Sequence, residues 1–309
     1  MREACTGLIY ELAKKDPKVM ALTADSRNGF YERISREMPN QYIDYGIAEQ
    51  NMIASAAGLA EEGRIPFVFA ASNFLAMRGF EFIRNDVCLG NKNVKLIGIF
   101  SGLTRPAWGS THQGTEELAL MRCLPNIEVI SPCSPIEARE ATRYAYEKKG
   151  PIYLRLESSG EAEHFDEKYV FRPGKGRIIK SGTDITIITM GEIVNQALSA
   201  AEKLQGDGIS AQVVNFSMIK ELDTEMIERC VDETGAIVTL EEHSKYGGLG
   251  SAVAEFLAEK GCGIPFKMIG LDGCAKGYGK RDFLRTANGI GLDDTIDVVK
   301  KLLERKDRK

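Results

Sequence analysis

The sequence predicts an α/β protein of two doubly wound domains, and three observations carry that prediction. Short apolar runs recur along the chain and alternate with segments of helical period. Runs buried on both faces belong to parallel sheets whose crossovers are helices. At 309 residues the chain passes the roughly 250–300 residues at which single cores stop growing, and the alternation lapses once, after residue 157.

In chain order, residues 3–14 have a helical period and lead into the apolar run KVMALTAD at 18–25. A strand follows at 42–47, then a small-residue helix at 49–61, EQNMIASAAGLAE. PFVFAA at 66–71 is rich in the β-branched and aromatic residues that suit strands. A helix is expected over 74–88, a strand over 95–100, a helix over 116–123 and a strand over 127–131. Pro135, which suits a first helical turn, opens a helix to 148, and the strand 152–157 closes the series. From 158 to 182 charges, glycines and a proline break the period, a linker signature with room for a short hairpin. The second series has strands at 184–190, 210–215, 236–241 and 266–269, with helices at 192–204, 223–230, 249–260 and 294–304. This predicts domains at 1–165 and 183–309 joined by a linker at 166–182.

Composition narrows the function. Forty basic and forty-four acidic residues leave a net charge of −4, so no global field invites nucleic acid or an anionic membrane surface. Seven cysteines without a C-x-x-C pair, and three histidines, offer no metal cluster and fit a reducing, cytoplasmic setting. The N-terminus lacks an apolar signal region, and no stretch is long and apolar enough to span a membrane.

In doubly wound sheets, ligands bind beyond the carboxyl ends of strands. That singles out residues 24–26, 46–51, 71–74 and 102–114. Glu49 lies in the first turn of its helix, where a carboxylate favours the macrodipole by ~0.3–1 kcal/mol. The small apolar helix behind it suits close packing, so Glu49 is expected to be desolvated and its pKa raised, as proton transfer requires. The loop SGLTRPAWGSTHQG carries His112 and the single tryptophan, Trp108, and is long for an α/β connection. Gly206-Asp207-Gly208 resembles the start of a diphosphate-and-metal motif but lacks a correctly spaced asparagine, so it reads as a turn. Gly247-Gly248-Leu249-Gly250 has no P-loop or Rossmann context and reads as a helix-packing turn.

Five blocks together, GIAEQNM, PFVFAASNFLAMRGFEFIRND, STHQG with LALMRCLPNIEVISPCSP, GPIYLRLE and TLEEHSKYGGLGSAVAE, resemble the C-terminal half of transketolase over nearly the whole chain. The resemblance implies a pyrimidine-binding domain, a C-terminal domain, and dependence on thiamine diphosphate. The family's diphosphate-binding domain, with its metal-holding GDG motif, is missing. The chain therefore looks like the C-terminal subunit of a split transketolase. Such a subunit needs an N-terminal partner of roughly 270 residues and is expected in an α2β2 assembly. Mg2+ or Ca2+ would be held mainly by that partner, and no metal by this chain. The substrates implied are small sugars or aldehydes, exchanging a two-carbon ketol unit.

The same resemblance assigns residues. Glu49 matches the glutamate that hydrogen-bonds the cofactor's aminopyrimidine. Phe74 matches the aromatic stacked on that ring, Asp25 an aspartate facing the cofactor, and His112 a substrate-pocket histidine. Three positions depart from the family. Trp108 replaces an aspartate that recognises a sugar hydroxyl, Phe100 a histidine on the sugar phosphate, and Ser158 an arginine that grips it. Losing donors reverses a preference built on them, so a non-standard acceptor is expected, with Arg105 placed to restore an anion contact. Two other readings stand beside this one. The first is a 2-oxo-acid-using relative, either deoxyxylulose-phosphate synthase-like or a dehydrogenase beta subunit, and the second is a non-catalytic assembly subunit.

Overall fold

A computed structural model describes residues 1–26, 29–157 and 162–306. The chain forms two compact units, Met1–Ser101 with Leu120–Phe171, and Gly102–Ala119 with Arg172–Lys309. The segment 102–119, which in sequence reads as a loop of the first domain, thus belongs by its contacts to the second unit.

The first unit is built on six parallel strands, β1 (Val19–Thr23), β2 (Tyr42–Asp44), β3 (Ile65–Ala71), β4 (Lys95–Ile99), β5 (Glu128–Ile130) and β6 (Ile152–Arg155), in the order β2-β1-β3-β4-β6-β5. Leu22 pairs with Ile43 on one side and Val68 on the other. Burial along the whole of β1, β4 and β6 is what a parallel sheet covered on both faces requires. Its helices include α1 (Arg2–Lys15), α2 (Gly29–Glu37) and α3 (Glu49–Glu61). Two π-helical turns, Phe74–Arg78 and Ile83–Cys88, flank the short α4 (Phe80–Phe82). After α5 (Glu117–Arg122) comes α6 (Pro135–Glu147), which starts on a capping box. Ser134 Oγ accepts from the Glu137 amide at 3.3 Å, and the Glu137 carboxylate accepts from the Cys133 amide at 2.7 Å.

The single helix expected over 74–88 is therefore interrupted. Gly79 sits against Ile53 of α3, and a Cβ there would also lie 2.7 Å from the Leu75 carbonyl oxygen. The chain widens into π turns on either side of this contact, and such bulges are frequent at functional sites. Helix α2 is not expected from sequence. Among its nine residues only Tyr31 and Ile34 are buried, too sparse a stripe to stand out.

The second unit carries β7 (Arg177–Lys180), β8 (Ile185–Thr189), β9 (Ala211–Asn215), β10 (Ile237–Ser244) and β11 (Phe266–Leu271), in the order β11-β10-β8-β9-β7. All pair in parallel except β7, which runs antiparallel to β9. Strand β7 falls inside the span that reads as linker; with basic residues at both ends and no fully buried position, it has the character of an edge strand. The helices are α7 (Val194–Gly206), α8 (Thr224–Thr234), α9 (Leu249–Lys260), α10 (Arg281–Ala287) and α11 (Leu292–Lys306), of which α10 is not expected from sequence. Ile187, Val213, Val238, Leu240 and Leu302 meet in one core.

Gly206 ends α7 and Gly208 turns the chain at φ +81° before β9, as the turn reading expects. The start of α9 is closed by protein: Glu241 accepts from the Leu249 and Gly250 amides, both at 2.8 Å. A side-chain carboxylate thus takes the place an anion would occupy. All seven cysteines are free, and Cys5, Cys88, Cys133 and Cys230 are buried. Burial pushes the Cys5 thiol up to about 12 and the Cys230 thiol up to about 11, so neither forms a thiolate near neutrality. Among the described residues no helix is long and apolar enough to cross a membrane, and no group of three potential metal ligands occurs.

Lys95, fully buried at the start of β4, donates to the Lys148 and Gly150 carbonyls, each at 2.7 Å. Burial lowers its pKa to about 7, although the Glu128 charge opposes the shift. Between pH 7 and the ordinary lysine value of ~10.4 the unfolded chain then binds more protons than the folded one, so this group adds stability as pH rises. Relative to Lys95→Met, the native chain should therefore gain urea stability from pH 7 to pH 10. A difference between the two that stays constant over that range would refute the assignment.

Candidate functional site

Parallel pairing of β2, β1 and β3 brings their carboxyl ends to one edge of the sheet, where doubly wound folds bind ligands. The segments that leave these ends carry Asp25, Glu49 and Phe74. After β1, Asp25 takes a left-handed conformation at φ 49°, which aspartate tolerates better than most residues. Its amide donates to Asp44 Oδ1 at 3.3 Å, the same oxygen that accepts from the Gly46 amide at 3.0 Å. The Asp25 side chain is exposed. Gly46, at φ +62°, then lets the chain turn from β2 into α3.

Glu49 opens α3 and is only 2% exposed, in line with the expected burial. Its partner is one that sequence reasoning misses. Arg78 Nη1 lies 2.5 Å from Glu49 Oε2, and the same guanidinium sits 4.9 Å from the centre of the Phe74 ring. A π turn separates Phe74 from Arg78, so one guanidinium meets both the ring and the Glu49 carboxylate. The pair thus accepts a flat, nitrogen-rich donor, with a carboxylate at its edge and an aromatic face against its plane. That chemistry also suits an aminopyrimidine. Beside it, Ser72 Oγ is buried with no hydrogen-bond partner among the described residues. Ile47 is 75% and Met77 44% exposed, leaving apolar surface close in sequence to Glu49 and to Phe74. Phe100, at φ 60°, has the Arg2 guanidinium 5.7 Å from its ring centre.

The second group lies in the second unit, on the loop that follows β4. Gly102 donates to the Gly114 carbonyl at 2.6 Å and closes the loop's neck. Within it, Arg105 stacks 4.5 Å over the Trp108 ring, and Trp108 meets His112 edge to face, with centroids 5.0 Å apart. Three residues singled out from sequence therefore form one stack. Thr111 Oγ1 lies 2.9 Å from His112 Nδ1. Gln113, to which the sequence assigns no role, is 2% exposed, and neither amide atom has a hydrogen-bond partner among the described residues. Leaving such groups unsatisfied costs about 1–3 kcal/mol each, which makes Gln113 a candidate site residue. Its only sequence signal is adjacency to His112. Ser158 lies outside the described residues.

Comparison with known proteins identifies the domains that carry these residues. Residues 1–159 match the pyrimidine-binding domain of transketolase and residues 174–288 match the transketolase C-terminal domain. The chain is 36% identical over 307 residues to the 6-deoxy-6-sulfo-D-fructose transketolase subunit SqwH of Clostridium sp. (strain MSTE9), covering 99% of this chain and 95% of that one. It is 34% identical to a subunit of the apulose-4-phosphate transketolase of Phocaeicola vulgatus, covering 87% of this chain and 86% of the relative. Among solved structures it superposes on a split gene transketolase described as an inactive beta4 tetramer. The TM-score is 0.90 at 38% identity, over 99% of this chain and 98% of the other.

The Glu49–Arg78 pair is asymmetric in burial, with 3% of the glutamate side chain and 37% of the arginine exposed. Glu49→Ala frees a guanidinium that can turn to water, and should cost about 1 kcal/mol or less. Arg78→Ala leaves a buried carboxylate without its cation and should cost about 3 kcal/mol, offset by ~0.3–1 kcal/mol from the helix N-terminus. Urea unfolding of both variants checks the asymmetry; equal losses would remove it.

Proposed function

This chain belongs to the transketolase family as the C-terminal subunit of a split, ketol-transferring enzyme, and we propose that it supplies the pyrimidine side of a thiamine diphosphate site that a partner subunit completes. The observation that carries the proposal is the buried Glu49 carboxylate beside the Phe74 face, bridged by a planar guanidinium. Thiamine diphosphate, when bound, supplies the carbanion chemistry that ketol transfer needs. Glu49 would hold a proton at the pyrimidine ring nitrogen, Phe74 would present its face to the ring, and Asp25 would line the same strand-end edge. His112 and Gln113 would bond the oxygens of the sugar or aldehyde. Mg2+ or Ca2+ and the diphosphate would be held mainly by an N-terminal subunit of roughly 270 residues.

Several features support this division of labour. The sequence neighbours of Glu49 and Phe74 include the exposed Ile47 and Met77, apolar surface for a partner to cover. The solved relative made of beta subunits alone is described as inactive. The working enzyme is therefore read as an α2β2 assembly with domains divided near 166–182. Its free, mostly buried thiols suit the cytoplasm. Relatives named for sulfofructose and apulose phosphate are split subunits named for unusual sugars. Here the Arg105–Trp108–His112 stack, with Phe100 and Ser158 in place of phosphate ligands, favours an acceptor recognised by an aromatic face and one cation.

Glu49→Gln keeps shape and removes the acid, so in the reconstituted pair it should lower kcat/KM by about 10²–10⁴-fold. Undiminished transfer would reject the role. Xylulose 5-phosphate with ribose 5-phosphate should turn over less efficiently than a non-phosphorylated or sulfonated pair. Equal efficiency would reject the altered acceptor, and release of carbon dioxide from pyruvate would favour 2-oxo-acid chemistry instead.

A further inference from the structure

The carboxyl end of β10 is where a doubly wound sheet would ordinarily receive a ligand. In this chain three consecutive buried residues there, Glu242, His243 and Ser244, hold the two ends of the segment 102–119. At the entering end, the Leu103 amide donates to Glu242 Oε2 at 2.9 Å, and the Leu103 side chain is buried in the core of the second unit. At the leaving end, the Leu118 amide donates to His243 Nε2 at 3.2 Å, and the Ser244 amide donates to the Thr115 carbonyl at 2.7 Å. Because Nε2 accepts, the ring proton lies on Nδ1, which donates to the Ser244 carbonyl at 2.7 Å. Between these anchors Ser110 Oγ donates to the Ala275 carbonyl at 3.3 Å, and the Tyr278 ring lies over Gly109.

Glu242 is itself fixed. It accepts from Arg281 Nε and Nη2 at 2.9 and 2.6 Å and from Arg285 Nε at 2.7 Å. Glu192 closes the square, 3.0 Å from Arg281 and 2.6 Å from Arg285. Burial alone would raise the Glu242 pKa, but the two guanidinium groups outweigh it and hold the carboxyl well below the usual carboxylate range. Removing Glu242 would leave the buried Arg285 guanidinium short of a matching charge, which makes this square costly to break. Gly102, at φ +62°, carries no Cβ, and one would collide with the Glu242 carboxylate.

We infer that Glu242 is a positioning residue for the substrate, acting through the loop: the second unit, by way of the Glu242–Arg281–Arg285 square and the His243 ring, sets the geometry of the Arg105–Trp108–His112 stack. This rests on the ketol-transfer reading for its chemistry but not for its mechanics, since Trp108 is the single tryptophan of the chain. Its fluorescence reports the loop directly, with no substrate or partner.

The test compares Glu242→Gln and Gly102→Ala with the native chain, and with Leu302→Ala as a variant that weakens the core of the same unit away from the clamp. Time-resolved Trp108 anisotropy should show a larger fast component in the first two variants and none in the third. In the reconstituted enzyme the first two should raise the acceptor KM and lower kcat/KM by roughly ten- to a hundredfold, as loosened positioning does, while thiamine diphosphate affinity measured by circular dichroism stays unchanged. Unchanged Trp108 motion in both clamp variants overturns the inference, as does equal mobilisation by Leu302→Ala or a matching loss of cofactor affinity. If the motion changes as expected but the native pair transfers no ketol unit, the clamp stands and the functional reading falls.

Discussion

Parallel strand pairing is the constraint on which the candidate site depends. Strands that all run one way deliver their carboxyl ends, and hence their crossover loops, to the same edge. In the first unit β2, β1 and β3 are adjacent, so residues far apart in sequence, Asp25, Glu49 and Phe74, start from neighbouring strand ends. Nothing about these side chains individually would bring them together. The parallel pairing of the apolar strands, with Ala21 and Leu22 of β1 in register with both β2 and β3, does so.

The second unit uses the same architecture for a different end. Its strand-end edge at β10 holds polypeptide instead of a small molecule, and the start of α9 is filled by the Glu241 carboxylate. Both devices spend sites that could bind anions on internal order. The buried charges concerned, Glu241, Glu242 and Arg285, are matched by amides or by each other, as a low-dielectric interior demands.

Much of this is legible in the sequence. The helix expected over 49–61 coincides with α3, and the apolar runs for β1, β3, β4 and β6 lie where strands form, because burial on both faces leaves an unbroken signal. The helices α2 and α10 are not legible, since each buries only two residues. The π turns flank Gly79, which packs against Ile53 of α3, a contact that no local propensity encodes. At the site, Glu49, Phe74 and His112 stand out by motif, whereas Arg78 and Glu242 do not. Their partners are 29 and 139 residues away, and only tertiary structure makes such pairs visible.

The neck between Gly102 and Gly114 also bears on how such enzymes can be recombined. In chain order the segment 102–119 sits inside the stretch matched by the pyrimidine-binding domain, yet it packs as part of the other unit. A crossover that exchanged whole domains at their sequence boundary would separate Leu103 from Glu242 and Leu118 from His243. The unit that keeps the loop on its anchor is therefore discontinuous, residues 102–119 together with 172–309, and hybrids that respect only the linear order would assemble a foreign loop on an unmatched anchor.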